Sequence, residues 1–312
     1  MSLAFIFPGQ GSQSVGMGQE LFEAFPAARK VFEEVDDALN QKLSAIMFNG
    51  PLEDLTLTAN TQPALMAASV AVMRVLEKDF GIPVTAASHV AGHSLGEYSA
   101  LCAAGSIGLA DTARILKERG EAMQQAVPVG EGGMAALLGA SIEDAQSLCD
   151  AVDGVAEIAN DNATGQVVIS GSASAIDGAV EKARDLGIKK AVKLPVSAPF
   201  HSSMMQPAAD RMKDVLADIA ISAPAVPLVG NVKAEAVTDP DTIRADLVAQ
   251  VTGRVRWRES VQWMAAHGVD AMAEPGTGKV LTQMIRRIVD GVAGRALSTP
   301  QDLETFATEI KG

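Results

Sequence analysis

The segment Gly92-His93-Ser94-Leu95-Gly96 has the residue types and spacing that can make a serine nucleophilic. The pattern Gly-x-Ser-x-Gly is typical of a nucleophile elbow, in which glycines permit a crowded turn between a strand and a helix. An apolar stretch precedes the motif and a helical pattern follows it, which favours a functional turn over a plain one. The helix aims free backbone N–H groups, including that of Leu95, at the point where an oxyanion would form. We therefore predict that Ser94 is a nucleophile.

A serine hydroxyl needs a neighbouring base, and four histidines could supply it. His89 lies in the predicted strand before the motif and His93 adjoins the serine along the chain, so neither is expected to reach the hydroxyl. His201 lies in an irregular stretch beside Pro199, the kind of positioned loop that carries catalytic groups. His267 lies at a predicted helix end, where a cation capping the last turn is the simpler interpretation. The pattern favours His201 as the base and leaves His267 open.

Two other glycine-rich segments have only part of a nucleotide-binding motif. Gly9-Gln10-Gly11 lacks the third glycine of a dinucleotide fingerprint. The segment 276–279, Gly-Thr-Gly-Lys, lacks the following serine or threonine and the earlier glycine of a phosphate loop. The few histidines and cysteines show no metal-ligand spacing either. We therefore expect no metal ion and no bound cofactor.

Hydrophobic periodicity predicts the elements that position these residues. An apolar run over 3–7 predicts a buried strand that ends at a tight Pro-Gly turn, and a helical pattern covers 61–77. The stretch 84–91 predicts the strand that enters the serine motif, and Asp111 is placed to cap the next helix. After residue 199 helices alternate with strands at 227–231 and 269–273, which indicates a largely parallel sheet.

The segment 134–196 shows a different order of elements. The pattern predicts strand 135–138, helix 142–152, strands 155–160 and 167–170, helix 175–186 and strand 190–194. This order, βαββαβ, matches a ferredoxin-like unit. We therefore predict an α/β protein with two domains. Residues 1–130 and 197–312 form a large catalytic domain, a mostly parallel sheet flanked by helices with a hydrolase-like core, and residues 131–196 form an inserted ferredoxin-like subdomain.

Composition and charge exclude several classes of function. With 48% hydrophobic and 20% charged residues, the 312-residue chain is expected to fold around a substantial core. The net charge of −13 would repel phosphate backbones, so nucleic acid is not an expected partner. No basic leader opens the chain and no apolar run reaches spanning length, so we expect a cytoplasmic protein without a membrane partner. Cys102 and Cys149 lie in apolar helical patterns and are expected to be reduced thiols.

Four motifs occur in order along nearly the whole chain. They are Phe7-Pro-Gly-Gln-Gly-Ser-Gln13, Gly92-His-Ser-Leu-Gly-Glu-Tyr98, Arg119 within Lys-Glu-Arg-Gly-Glu, and Pro199-Phe-His-Ser202. Together they resemble the malonyl-CoA:acyl carrier protein transacylases and the acyltransferase domains of fatty acid and polyketide synthases. The resemblance implies a ping-pong transfer of malonyl from malonyl-CoA to the phosphopantetheine thiol of acyl carrier protein, supplying fatty acid synthesis. It also implies a large α/β domain with an inserted ferredoxin-like subdomain.

The resemblance further implies roles for individual residues. Ser94 would carry the malonyl group, and His201 would be its base. The backbone N–H groups of Gln10 and Leu95 would form the oxyanion hole, where the neighbouring glycines let backbone approach closely. Arg119 would hold the malonyl carboxylate with two parallel charge-assisted bonds, so acetyl-CoA should be a poor donor.

The resemblance also concerns two residues around the site and one segment that differs from the family pattern. Gln250 matches the family position whose carbonyl orients the histidine, where many serine hydrolases use an acid. Phe200 resembles the signature of malonyl-type members, and its bulk leaves little room for an α-methyl, so methylmalonyl is the second choice. The family's Gly-Pro-Gly-Lys is Gly-Thr-Gly-Lys here, at 276–279, which concerns the local turn rather than the chemistry.

Other classes of function share part of this pattern. An esterase or thioesterase would use the same serine and histidine, and Asp161 or Asp185 could be its acid by chain order alone. Such an enzyme has no need of a buried arginine beside the nucleophile. A non-enzymatic scaffold for carrier protein would need none of Ser94, His201 and Arg119.

Acyl carrier protein is acidic, so a chain with a net charge of −13 would need a local basic patch to bind it. Two clusters could supply this patch, and ordinary solvated faces are an equally good interpretation of both. The clusters are Lys189, Lys190 and Lys193, and Arg254, Arg256 and Arg258.

Overall fold

A computed structural model describes residues 2–196 and 198–311, which form two β-sheets and their covering helices. Ser197, the predicted start of the second part of the large domain, lies outside the described residues, as do both terminal residues. The larger sheet contains β1 (Leu3–Phe7), β2 (His89–Gly92), β7 (Leu228–Val229), β8 (Ala236–Val237), β9 (Ala271–Pro275) and β10 (Ala293–Leu297). The smaller sheet contains β3 (Gly132–Leu138), β4 (Ala156–Ala163), β5 (Gln166–Ser172) and β6 (Lys190–Lys193).

The helices of the described residues surround the larger sheet, except for two that belong to the smaller one. The first seven are α1 (Gln19–Ala24), α2 (Pro26–Leu39), α3 (Leu43–Asn49), α4 (Leu52–Thr56), α5 (Thr58–Lys78), α6 (Gly96–Ala103) and α7 (Leu109–Gln125). The others are α8 (Ile142–Asp150), α9 (Ala173–Lys182), α10 (Gln206–Ala217), α11 (Pro240–Thr252), α12 (Trp257–Ala266), α13 (Val280–Ile285) and α14 (Pro300–Lys311). None of these helices combines the length and the hydropathy needed to cross a membrane.

The larger sheet confirms the predicted parallel arrangement. Its strand order is β10-β9-β1-β2-β7-β8, and every neighbouring pair is parallel except β7 and β8. All five residues of the central strand β1 are buried, because helices cover both faces of the sheet. The strand therefore reads as a continuous apolar run in the sequence, without alternation. Its carboxyl end meets that of β2 at the edge where the serine motif begins.

The smaller sheet confirms the predicted ferredoxin-like topology. Its order is β4-β5-β3-β6, with all neighbours antiparallel, and the chain runs βαββαβ through it. The helices α8 and α9 bury apolar side chains against it in a separate core that includes Leu137, Leu148, Ile169 and Ile176. Backbone hydrogen bonds from Asp161 and Val255 join β4 to the loop before α12. The smaller sheet is thus fastened directly to the larger unit.

Two local predictions were wrong. The predicted strand over 84–91 is only His89–Gly92, preceded by a 3-10 turn at Val84–Ala86, because only these four residues pair with β1. Asp111 does not cap α7. Gly108 occupies the cap position with an extended backbone, and Asp111 lies in the first turn with its carboxylate 3.1 Å from a guanidinium nitrogen of Arg114. Both cysteines are buried, free thiols, as predicted.

Candidate active site

Ser94 lies on a crowded turn between β2 and α6. Its φ of +53° is in the left-handed region, which is unusual for a residue with a side chain. A Cβ on Gly92 would lie 1.9 Å from the carbonyl carbon of Gly96, and one on Gly96 would lie 2.2 Å from the carbonyl oxygen of Phe7. Only glycine fits at either position. The two glycines of the motif therefore allow the sharp turn that projects the serine hydroxyl.

Asn231, in the loop after β7, hydrogen-bonds the backbone of this turn. The Ser94 N–H donates to Asn231 Oδ1 at 2.8 Å, and Asn231 Nδ2 donates to the Gly92 carbonyl at 2.6 Å. The N–H of Ser94 is therefore already used. The N–H of Leu95, the next residue, makes no hydrogen bond within the described part of the chain. This N–H is the free donor at the start of α6.

His201 reaches the serine from the loop before α10. Ser94 Oγ lies 2.8 Å from His201 Nε2, and His201 Nδ1 lies 2.9 Å from the backbone carbonyl oxygen of Gln250. Because that carbonyl can only accept, Nδ1 carries the proton and Nε2 is free to accept the serine proton. Burial, followed by the nearby charge of Arg119, lowers the pKa of His201 to about 3. The imidazole is therefore neutral at neutral pH, as a base must be.

Arg119, on α7, places a buried positive charge beside the Ser94 hydroxyl. Its side chain is 1% exposed, and Nη2 lies 3.2 Å from Ser94 Oγ. The guanidinium donates to the side-chain oxygens of Gln62 and Gln250, each at 2.8 Å, and lies 5.5 Å from the ring centroid of Tyr98. Among the described residues, no carboxylate forms an ion pair with it. Burial lowers the pKa of Arg119 but leaves it a cation.

A pocket of about 400 Å³ opens above these groups. Its walls come from the smaller sheet and from loops and helices that cover the larger one, and the polar groups converge on the serine. Gln10, Leu95 and Phe200 line it together with Ser94, Arg119 and His201. The N–H of Gln10, like that of Leu95, is unengaged within the described residues. All the predicted site residues except Gln250, which lies behind Arg119 and His201, thus line one cavity.

Comparisons with known proteins identify the family. The model of the acyl transferase domain family matches residues 4–300. The chain belongs to this family. It is 43% identical over 312 residues to the malonyl CoA-acyl carrier protein transacylase of Bacillus subtilis strain 168, covering 99% of this chain and 97% of that protein. It is 45% identical over 309 residues to the transacylase of the same name from Salmonella typhimurium, covering 98% of this chain and 99% of that protein.

Solved structures of acyl transferases share the whole fold. The crystal structure of the acyl-carrier-protein S-malonyltransferase from Bartonella henselae matches with a TM-score of 0.98 at 55% identity over the full length of both chains. A malonyl-transacylase in complex with its type II PKS acyl-carrier protein matches with a TM-score of 0.96 at 40% identity, covering 99% of this chain and 100% of that one. The resemblance inferred from the four motifs is therefore confirmed.

The other histidines of this acyl transferase do not reach the serine hydroxyl. The ring of His93 turns toward the smaller sheet, where Nε2 lies 2.8 Å from Asn162 Oδ1. His267 closes the end of α12, with Nδ1 2.7 Å from the Trp263 carbonyl, which is the capping role the sequence predicted. The ring of His89 packs near Trp263 instead. His201 alone of the four histidines bonds the Ser94 hydroxyl.

The acids of the hydrolase alternative are not placed to orient His201. Asp161 is 1% exposed and forms a bidentate ion pair with Arg258, with N–O distances of 2.7–3.0 Å. Asp185 is exposed after α9 in the smaller domain. The backbone carbonyl of Gln250 occupies the position an acid would need. A hydrolase triad built on either aspartate is therefore contradicted.

The ion pairs also change the interpretation of the two basic clusters. Arg254 and Arg256 both pair with Glu259, and Arg258 pairs with Asp161. In the other cluster, Lys193 lies 2.5 Å from a carboxylate oxygen of Asp177. Lys189 and Lys190 are exposed. The arginine cluster is thus largely neutralised by its own neighbours.

Four polar residues of the site were not singled out by the sequence. All four are buried: Gln62 bonds Arg119, Glu97 bonds Gln250, Asn162 bonds His93, and Asn231 bonds Ser94. Glu97 offered a signal, because a charged residue in the apolar helix after the elbow must be buried against something polar. The others lie on distant segments, where an amide in a sequence carries no sign of its partner.

Proposed function

We propose that this protein transfers a malonyl group from malonyl-CoA to the phosphopantetheine thiol of acyl carrier protein, supplying fatty acid synthesis. The observation that carries the proposal is the Arg119 guanidinium, buried, without an anionic partner among the described residues, and 3.2 Å from Ser94 Oγ. A buried cation at this distance from the nucleophile matches an acyl group with its own carboxylate. The relatives that share the fold are malonyl transferases by name, which supports the same substrate.

The reaction has two half-reactions at one serine. In the first, Ser94 Oγ attacks the thioester carbonyl carbon while His201 Nε2 takes the hydroxyl proton. The N–H groups of Gln10 and Leu95 stabilise the oxyanion. The carbon–sulfur bond then breaks, and the coenzyme A sulfur leaves with the proton from His201. In the second, His201 takes the proton of the pantetheine thiol, whose sulfur attacks the malonyl ester carbonyl. The carbon–oxygen bond to Ser94 then breaks, and His201 returns the proton to Ser94 Oγ.

The substrate's carboxylate also makes His201 a better base. In the free enzyme the charge of Arg119 contributes to the low pKa of His201, because it disfavours a second cation nearby. A malonyl carboxylate bound to Arg119 would offset that charge. The imidazolium that forms in the transition state would then cost less, so malonyl would be favoured in chemistry as well as in binding.

The surroundings fit this reaction without further components. Thioester exchange needs a nucleophile, a base and an oxyanion hole, so no cofactor is required. Phe200 lines the pocket next to His201, where its ring restricts substituents on the malonyl α-carbon. Methylmalonyl is therefore the second choice. Two buried free thiols fit a reducing compartment, and we place the enzyme in the cytoplasm.

Intact-protein mass spectrometry after incubation with malonyl-CoA tests the proposal. We expect the mass to increase by one malonyl group and the increase to disappear when acyl carrier protein is added. The Ser94→Ala variant should gain no mass. Turnover of malonyl-CoA without a labelled protein would show a hydrolase, and an unchanged mass with no turnover would show a scaffold; either result contradicts the proposal.

A further inference from the structure

Glu97 is a buried carboxylate three residues after Ser94 along the chain. It lies in the first turn of α6 and is 1% exposed. Its Oε2 accepts from Gln250 Nε2 at 2.6 Å and from the Asn231 N–H at 3.3 Å. No lysine or arginine of the described chain forms an ion pair with it. A buried carboxylate held by neutral donors is costly, so its retention calls for a reason.

The Gln250 side chain gives the reason, because it hydrogen-bonds both Glu97 and Arg119. Gln250 Nε2 donates to Glu97 Oε2 and to the Ser94 carbonyl, the latter at 3.0 Å. Gln250 Oε1 accepts from Arg119 Nη2 at 2.8 Å. An amide can turn over by 180°, which exchanges its donor and acceptor ends. In the reversed orientation, NH₂ would face the guanidinium and the oxygen would face the carboxylate.

An ionised Glu97 can only accept, so it stabilises one orientation of the amide. We propose that Glu97 is a positioning residue, which fixes the Gln250 side chain so that its oxygen holds the Arg119 guanidinium beside Ser94. Glu97 contacts no substrate in this arrangement. It acts through Gln250 on the residue that selects malonyl. This inference rests on the proposed function, because it names a determinant of the same selectivity.

The charged groups around Glu97 make this arrangement sensitive to pH. The pKa of Glu97 is raised to about 7, mainly by burial. Bonds from Gln250 and Asn231 and the charge of Arg119 on α7 partly offset this rise, and the charge of Asp246 on α11 adds to it. Burial raises the pKa of Tyr98, the next residue, to about 12, so its hydroxyl stays neutral. Protonation of Glu97 near neutral pH would remove the charge that favours the observed orientation of the amide.

The test compares loading by malonyl-CoA and acetyl-CoA in the wild type and in Glu97→Gln. We expect the malonyl-to-acetyl ratio of kcat/KM to fall roughly tenfold in the variant, the effect of one charge-assisted hydrogen bond. In the wild type the ratio should fall as pH decreases through about 7, and in the variant it should not change there. The wild-type measurement needs no variant to fold.

Glu274→Gln is the matched control, since Glu274 is also 1% exposed but accepts the Leu281 and Thr282 N–H groups at the start of α13 and, within the described chain, makes no hydrogen bond with Gln250 or Arg119. It should keep the wild-type ratio. Gln250→Leu keeps the backbone carbonyl that bonds His201 but removes the amide. If Glu97 acts through that amide, adding Glu97→Gln to Gln250→Leu should cost no further selectivity.

Three outcomes would overturn the inference: an unchanged ratio in Glu97→Gln, an equal loss in Glu274→Gln, or additive losses in the double variant. Each differs from failure of the proposed function. In that case the wild type itself would take up no malonyl group in the same experiment, whereas here the wild type is loaded and only the role of Glu97 is rejected.

Discussion

In the proposed function, the arginine beside the serine selects the substrate, and its burial has an energetic cost. Arg119 is almost completely buried, and three neutral oxygens, on Gln62, Gln250 and Ser94, accept its hydrogen bonds. A buried cation without an anion is destabilising, typically by several kcal/mol. A substrate carboxylate removes that penalty, while a substrate without one leaves it in place. The empty site has no anion to pair with Arg119, so it should favour substrates that bring a carboxylate.

Arg119→Ala should remove this selectivity. Without the guanidinium, malonyl loses a bidentate charge-assisted pair worth roughly 3 kcal/mol, so its kcat/KM should fall about 100-fold relative to acetyl-CoA. Competitive loading with both thioesters, followed by intact mass measurement, gives the ratio. Arg74→Ala is the control, because Arg74 is 45% exposed and pairs with Glu77 on the surface of α5. An unchanged malonyl-to-acetyl ratio in Arg119→Ala would contradict the role.

At the scale of elements, the turn between β2 and α6 positions the Ser94 hydroxyl. The backbone of Ser94 is in the left-handed region, and Asn231 bonds both the Ser94 N–H and the Gly92 carbonyl. The contacts of Gly92 and Gly96 are with backbone atoms, which cannot move aside as a side chain would. Close packing of backbone thus determines where the nucleophile lies.

Gly92→Ala should unfold or severely destabilise the protein. The new Cβ would lie 1.9 Å from the Gly96 carbonyl carbon, and relieving this overlap means moving β2 or α6, at a cost of at least about 3 kcal/mol. Urea denaturation measures the loss. Gly108→Ala provides the comparison, because Gly108 has a φ of −66° and a Cβ there would lie 4.0 Å from its nearest neighbour, Asp111 Oδ2. It should cost within about 1 kcal/mol. Equal losses in both variants would argue against the packing explanation.

At the scale of the whole molecule, the pocket depends on how the two sheets are joined. Asn162 of β4 bonds His93, and the buried Asp161 beside it pairs with Arg258 of α12. The Asp161 N–H also donates to the Val255 carbonyl at 2.9 Å. These contacts fasten the smaller sheet over the serine, so the cavity has a defined shape before substrate binds.

Arg258→Ala should therefore be costly even though the Arg258 side chain is partly exposed. It leaves the Asp161 carboxylate, 1% exposed, without its cation, and we expect a loss of roughly 3 kcal/mol in the free energy of unfolding. The comparable variant Arg295→Ala breaks a pair with Glu309 in which both partners are exposed and should cost less than about 1 kcal/mol. Chemical denaturation of both variants gives the difference. Similar losses would show that the joint between the sheets contributes little.

The sequence alone contained the chemistry and most of the architecture. The glycine-framed serine, the loop histidine and the helix arginine could be found because each lies in a short motif whose spacing has a local physical meaning. The two sheets followed from periodicity for the same reason. The weakly apolar edge strand β10 and the final helix α14 were missed, since partly exposed elements leave little hydrophobic pattern.

Only the tertiary structure decided which groups hold the reacting residues. The pairing of Asp161 with Arg258 and the link from Glu97 through Gln250 to Arg119 both join segments far apart in the chain. Spacing along the sequence does not predict which group a buried amide or carboxylate will bond, because that partner depends on how helices and sheets pack. Motifs thus determine which atoms can react, and packing determines their charge, orientation and selectivity.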